Sequence, residues 1–179
     1  YMGDGVVTIE DYRADYNWGT FTMCHNLEHV KLSRNLRRLP INMFGSCENL
    51  RTVEMFDKLE TIGANAFSGC ISLEDLHIPN SLINVEYYAF SNCNRFDIYV
   101  DDIRVLTNIQ YPENNAIEAS IMNYAKNLYI DGVLTTELII PDDVTSIAYC
   151  AFFGGKSITN VTFGKSTQSI GVGAFCETG

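Results

Sequence analysis

Residues 60–82 read ETIGANAFSGCISLEDLHIPNSL, and the same spacing of apolar residues recurs on both sides of them. Phenylalanine stands at Phe21, Phe44, Phe67 and Phe90, in steps of 23 residues, and the same step separates Phe152 from Phe175. Ala66, Ala89, Ala151 and Ala174 precede four of these, Thr20 and Met43 the other two. Cysteine keeps the step at Cys24, Cys47, Cys70 and Cys93. Upstream of each Phe lie further columns: Leu27, Leu50, Leu73, Thr135 and Ile158; Val30, Val53, Leu76, Leu138 and Val161; Leu32, Met55, Ile78, Ile140 and Phe163. Two more hold Leu36, Leu59, Leu82, Val144 and Thr167, then Leu39, Ile62, Val85, Ile147 and Ile170. The unit is C-x-x-L-x-x-L/V-x-L/I-x-x-x-L-x-x-I-x-x-x-A-F. Self-similarity at a fixed period is the signature of a repeat architecture.

The x-L-x-I part of the unit alternates with period two, which is a short strand with one face inward. One such strand buries nothing alone. Stacked coils set each strand beside the next, as a parallel sheet. The expected strands lie near residues 29–33, 52–56, 75–79, 138–140 and 160–164, in a single elongated solenoid. Leu36, Leu39 and Phe44 turn in from the opposite side to close the coil, and each such buried side chain stabilises by roughly 1.5–3 kcal/mol.

The ends and the middle are less regular. Residues 1–20 form a degenerate coil or cap: Val7 and Ile9 sit at strand positions, but Arg13 and Tyr16 occupy the later columns. Residues 21–96 are a first repeat array. From Cys93 the register fails, and residues 97–134 read as an insertion rather than a separate domain. It holds a turn at 111–115, a short helix over 116–126 and a hairpin about Asp131-Gly132, a strong turn pair. The second strand of that hairpin is expected to run on into the repeat at Leu138 and Ile140. Residues 135–179 are a second array. Tyr at the first position and an end just after the Phe175 column suggest a fragment or processed form.

The Cys-x-x-Leu start, the Ile-Pro after the strand at 78–79 and 140–141, and the closing Ala-Phe resemble the BspA-like leucine-rich repeat family. Residues 60–82 and 127–152 carry the resemblance best. It implies a right-handed leucine-rich repeat solenoid, β-rich with short helical turns. It also implies a surface or secreted protein of host-associated bacteria, or of some protists, and an extracellular or cell-surface location. Members studied for function are mainly adhesins. The implied function is a non-catalytic module that recognises a host or bacterial surface protein or a glycan. The alternative is a structural spacer in a larger surface or appendage protein. Met43 for Ala, Gly155 for the column Cys, and Thr135 and Thr167 depart from the pattern.

Composition narrows the classes. The 179 residues include 22 Asp and Glu against 12 Lys and Arg, for a net charge of −10. A general nucleic-acid surface needs clustered cations and is not expected. No apolar run approaches the ~18 residues of a membrane span. No cofactor or metal is expected, since no C-x-x-C pair exists and His25, His29 and His77 lack zinc spacing. The cysteine column reads as buried small hydrophobes rather than a disulfide framework; Cys150 and Cys176 lie outside it and are expected to react sooner.

Outward strand positions are the candidate partner-binding residues: His29, Lys31, Thr52, Glu54, Asp75, His77, Asn160 and Thr162. The repeat holds these on a rigid surface while leaving their identity free. A His29–His77 metal pair fails, because two strands separate them by roughly 10 Å. Glu54 and Asp75 as a hydrolytic carboxylate pair would need a raised pKa and a deep pocket, and no catalytic residue is assigned. Lys31, Arg34, Arg37, Arg38 and Arg51 form one basic patch, read as a solvated face or a local anionic contact. Asp101-Asp102 and Asp142-Asp143 lack the spacing of a calcium loop, and Asn160-Val-Thr is a sequon that only a eukaryotic secretory route would use.

Overall fold

The computed structural model describes residues 1–6, 8–10, 18–114 and 116–179. Val7, Arg13 and Tyr16, named above, and Asn115 at the end of the expected turn lie outside the described residues. Each regular coil carries two short strands. The first has β1 (His29–Lys31) and β2 (Arg38–Leu39), the second β3 (Thr52–Glu54) and β4 (Thr61–Ile62), the third β5 (Asp75–His77) and β6 (Asn84–Val85). Then come β7 (Phe96–Val100), helices α1 (Arg104–Asn108) and α2 (Ala116–Ala119), a 3-10 turn (Ile121–Tyr124), β8 (Ala125–Ile130) and β9 (Val133–Leu134). The second array has β10 (Glu137–Ile139), β11 (Ser146–Ile147), β12 (Asn160–Thr162) and β13 (Ser169–Ile170).

The chain is a parallel β-solenoid, and the register is the one the columns demand. His29 pairs with Thr52, Val30 with Val53 and Lys31 with Glu54. Glu137, Leu138 and Ile139 pair with Asn160, Val161 and Thr162. The second strand of each coil forms its own parallel ladder, β2-β4-β6, with Leu39, Ile62 and Val85 in line. The Ala-Phe segments bond between coils as well: Phe44 N–H to the Ala66 carbonyl, Phe67 N–H to Ala89 and Phe152 N–H to Ala174, each at 2.8 Å. The core therefore runs along the axis. Phe44, Phe67 and Phe90 stack at 5.5 and 5.3 Å between ring centroids, and all three are wholly buried.

Two positions in each coil turn through the left-handed region. One is Asn42, Asn65, Tyr88, Cys150 and Gly173; the other is Met23, Ser46, Gly69, Asn92, Gly154 and Glu177. Glycine meets that demand without a side-chain clash, and asparagine with little. These two corners let one coil close within 23 residues and hand the chain to the next.

The cysteine column has a bonding reason beyond size. Cys47 Sγ donates to the Phe21 carbonyl at 3.0 Å, Cys70 to Phe44 at 3.2 Å and Cys93 to Phe67 at 3.1 Å. Each thiol satisfies a carbonyl of the coil before it. All six cysteines are free. Burial raises the thiol pKa of Cys47 to about 11 and that of Cys93 to about 12, and pushes Cys70 up further. Cys150 corrects an expectation: it is buried, not accessible, and burial raises its pKa too. Cys24 and Cys93 are half-buried, and only Cys176 is exposed. Limited alkylation at pH 8 should modify Cys176 first and leave Cys47, Cys70 and Cys150 unmodified until the chain unfolds. Peptide mass mapping checks the order, and early labelling of Cys70 would contradict the packed column.

The middle segment differs most from expectation. Strand β7 pairs parallel with β5, and β8 pairs parallel with β7, so residues read as an insertion extend the sheet. The helical stretch is shorter than 116–126: α2 covers four residues, and β8 already begins at Ala125. The hairpin about Asp131-Gly132 is present, with β9 antiparallel to β8. Its second strand does not run on into Leu138. It ends at Leu134, and Thr135 N–H bonds back to the Leu128 carbonyl at 2.8 Å. The second ladder thins here to a single bridge between Asn84 and Gln110. Ala148 N–H bonds to the Thr107 carbonyl at the end of α1, and Arg104 joins Asp102 to Asp143.

Candidate partner-binding face

The site is built on outward strand positions, and inward residues decide where they point. Val53 and Leu76 are buried, so the residues on either side of each must face away from the core. His29 and Thr52 are neighbours, with His29 Nδ1 2.9 Å from Thr52 Oγ1. Lys31 Nζ donates to Glu54 Oε1 at 2.7 Å. Strand β5 lies beside β3, tied by Glu74 N–H to the Arg51 carbonyl at 3.0 Å. That places Asp75 and His77 next in the two columns.

Beyond them the face changes character. Asp97 stands in register with Asp75, and Asn127 Nδ2 donates to Asp97 Oδ1 at 2.9 Å. In the other column His77 stacks on Tyr99 and Tyr99 on Tyr129, each pair with centroids 4.5 Å apart and planes within 8°. The Tyr99 phenol is held above its usual pKa, by burial first and then by Tyr129, Asp97 and Asp75. Asp97, Tyr99, Asn127 and Tyr129 were not among the residues expected from the sequence. The alternation of Phe96, Ile98 and Val100 was a signal for Asp97 and Tyr99. The step from Asp75 to Asp97 is 22 residues, and Asp97 to Asn127 is 30, so a search at the regular period passes over them.

Asn160 and Thr162 are not brought into this ladder. Strands β10 and β12 form a separate two-stranded sheet, and β9, antiparallel to β8, ends the sheet of β5, β7 and β8. On that second sheet Asn160 Nδ2 reaches Glu137 Oε1 at 3.5 Å, and Thr162 faces an exposed Ile139.

The basic patch is largely paired with acids one or two coils away. Lys31 pairs with Glu54, Arg37 with Glu60 and Arg51 with Glu74. Arg38 bonds Glu86 through two nitrogens at 2.7 and 3.2 Å. Arg34 lies 4.8 Å above the Phe56 ring. Exposed pairs of this kind contribute about 0–1 kcal/mol each; their effect is to order the face. Among the described residues no group of three or more His, Cys, Asp or Glu is placed to hold a metal ion.

A family model for the BspA type leucine rich repeat region matches in six copies, over residues 7–97 and 124–179. The chain belongs to the BspA-type leucine-rich repeat family. No curated protein matches this leucine-rich repeat chain. Three solved structures are similar to it. One is a leucine-rich repeat protein from Bacteroides ovatus, 20% identical, covering 89% of this chain and 49% of its own, with a TM-score of 0.49. A second, from Eubacterium ventriosum, is 22% identical and covers 83% and 51%, with a TM-score of 0.37. The third is a leucine rich cell surface protein from Faecalibacterium prausnitzii, 18% identical, covering 88% and 59%, with a TM-score of 0.33. This leucine-rich repeat chain thus spans about half the length of the structures it matches. Among the described residues no helix is long and apolar enough to cross a membrane.

Proposed function

We propose that this leucine-rich repeat chain is a non-catalytic binding module of a bacterial cell-surface or secreted protein, and that its partner, a host or bacterial surface protein or a glycan, docks on the outward sheet face. The observation that carries the reading is the two outward columns, Thr52-Asp75-Asp97-Asn127 and Glu54-His77-Tyr99-Tyr129, held side by side by a packed core. Rigid, solvent-facing side chains of varied chemistry bind without first being ordered, which lowers the entropic cost of association. A surface location is consistent with the family. The chemistry proposed for the face is recognition alone.

A spacer role is the second reading, favoured by the first three coils, where outward charges are mutually neutralised as Lys31–Glu54 and Arg51–Glu74. Retention of chain-coated beads on epithelial cell layers and on bacterial lawns separates the two. Replacing Glu54, Asp75 and His77 together with Ala should lower retention about tenfold, with the melting temperature nearly unchanged, because all three side chains lie outside the core. Retention that survives this change but disappears on shortening the hairpin at residues 131–134 would place the site on the hairpin. No retention by the parent chain on any surface would favour the spacer.

A further inference from the structure

We propose that the face centred on Asp75 and Asp97 docks a basic polypeptide segment, whose lysine or arginine side chains supply the cations that these two carboxylates lack. The proposal rests on the binding-module reading above and narrows its partner to a protein.

Several acids of this chain are neutralised from coil to coil. Glu54, Glu60 and Glu74 each meet a Lys or Arg on a neighbouring coil, and Glu86 meets Arg38 from two coils away. The pattern breaks at β5 and β7, where Asp75 and Asp97 are register partners on adjacent parallel strands. Such strands lie about 4.8 Å apart, and like charges directly opposite one another are destabilising. Among the described residues neither carboxylate has a cationic partner; the Asn127 amide on Asp97 is neutral. A sheet that neutralises Glu54 and Glu74 but sets Asp75 opposite Asp97 without a cation holds a repulsion that a bound cation relieves.

The neighbouring column selects among cations and against sugars. His77, Tyr99 and Tyr129 are stacked face to face, so the faces between the rings are covered by one another and only edges point outward. A pyranose, which binds aromatic side chains through their open faces, finds few here. The exposed edges carry imidazole nitrogens and phenol oxygens, which accept hydrogen bonds from ammonium and guanidinium groups. Shallow depressions of about 320 and 220 Å³ flank His77. Glu54, Phe56 and Asp75 line the first, and Asp57 and Asp101 the second. Each has room for one long cationic side chain, with charge-assisted bonds to the carboxylates. Nucleic acids and acidic glycans are repelled by the same field.

The test uses the whole chain and three labelled probes: a short peptide alternating lysine and glycine, its glutamate counterpart, and cellohexaose. Fluorescence anisotropy should show binding of the lysine peptide alone. Asp75→Asn with Asp97→Asn should weaken it about tenfold or more, whereas Glu48→Gln with Glu118→Gln, an equal change of charge at exposed sites elsewhere, should leave it within about twofold. Because the Asn pair keeps the shape and removes the repulsion, its melting temperature should equal or exceed that of the parent. Equal weakening by the Glu48 and Glu118 changes would mean that only net charge is read, and would overturn the proposal. So would a lowered melting temperature of the Asn pair, or calcium alone stabilising the parent but not that variant. Cellohexaose binding without lysine-peptide binding overturns the basic partner and leaves the binding module standing. Loss of the bead-retention effect as well removes both.

Discussion

Phe67→Ala is expected to cost about 3–5 kcal/mol of stability, the range for removing a buried aromatic side chain. Phe67 has no exposed surface. Its ring lies between Phe44 and Phe90, with interplanar angles of 18° and 8°. Collapse cannot fill the resulting void, because backbone bonds fix the distance between coils on both sides: Phe44 N–H to Ala66, and Phe67 N–H to Ala89. Coils in a solenoid stabilise one another through their interfaces, so the loss should spread to both neighbours rather than stay local. Urea unfolding followed by circular dichroism measures it. A lowered midpoint with an unchanged slope is the expected form. A loss below about 1 kcal/mol would show that this column does not carry the core.

Gly155→Cys should destabilise by about 1–3 kcal/mol, the usual effect of overpacking, although it restores the residue found at Cys47, Cys70 and Cys93. Repeat logic alone gives the opposite sign. In the structure, a side chain added at Gly155 would meet Met122 Cε at 3.1 Å and Ile158 Cδ1 at 3.0 Å. Met122 is fully buried and comes from the 3-10 turn that precedes β8. It fills the slot that a thiol takes in the first array. The double change Gly155→Cys with Met122→Ala therefore recovers part of the loss, a coupling that a double-mutant cycle reads directly. A stabilised single variant would mean that the slot is open after all. Thermal unfolding of the four proteins of the cycle decides it.

The legible part of this protein was the part with a constant step. A column of Leu, Ile or Phe at one spacing leaves a single way to face inward in every coil. The inward and outward sides of β1, β3, β5, β10 and β12 could therefore be assigned from residues 60–82 and their copies. The outward residues His29, Lys31, Thr52, Glu54, Asp75 and His77 followed at once. What they bond to did not follow. That Lys31 is satisfied by Glu54 while Asp75 meets another carboxylate depends on side-chain reach across the sheet. Cys150 shows the same limit: its place outside the cysteine column suggested exposure, but the corner it occupies is covered.

The sequence by itself determined the solenoid, its parallel strands, its inward columns and its family, because these rest on a local pattern repeated at one period. Tertiary structure alone decided how the irregular middle joins the sheet. A bulge between Phe96 and Ile98 shifts the register, so Asn127 and Tyr129 arrive beside Asp97 and Tyr99 at a spacing that no fixed period reveals. It also decided that Asn160 and Thr162 stand on a separate sheet, since the antiparallel turn of β9 ends the sheet of β5, β7 and β8. Both outcomes come from pairing between strands distant in the chain, where a one-residue shift exchanges the buried and exposed faces. Only the packed core selects which shift is made.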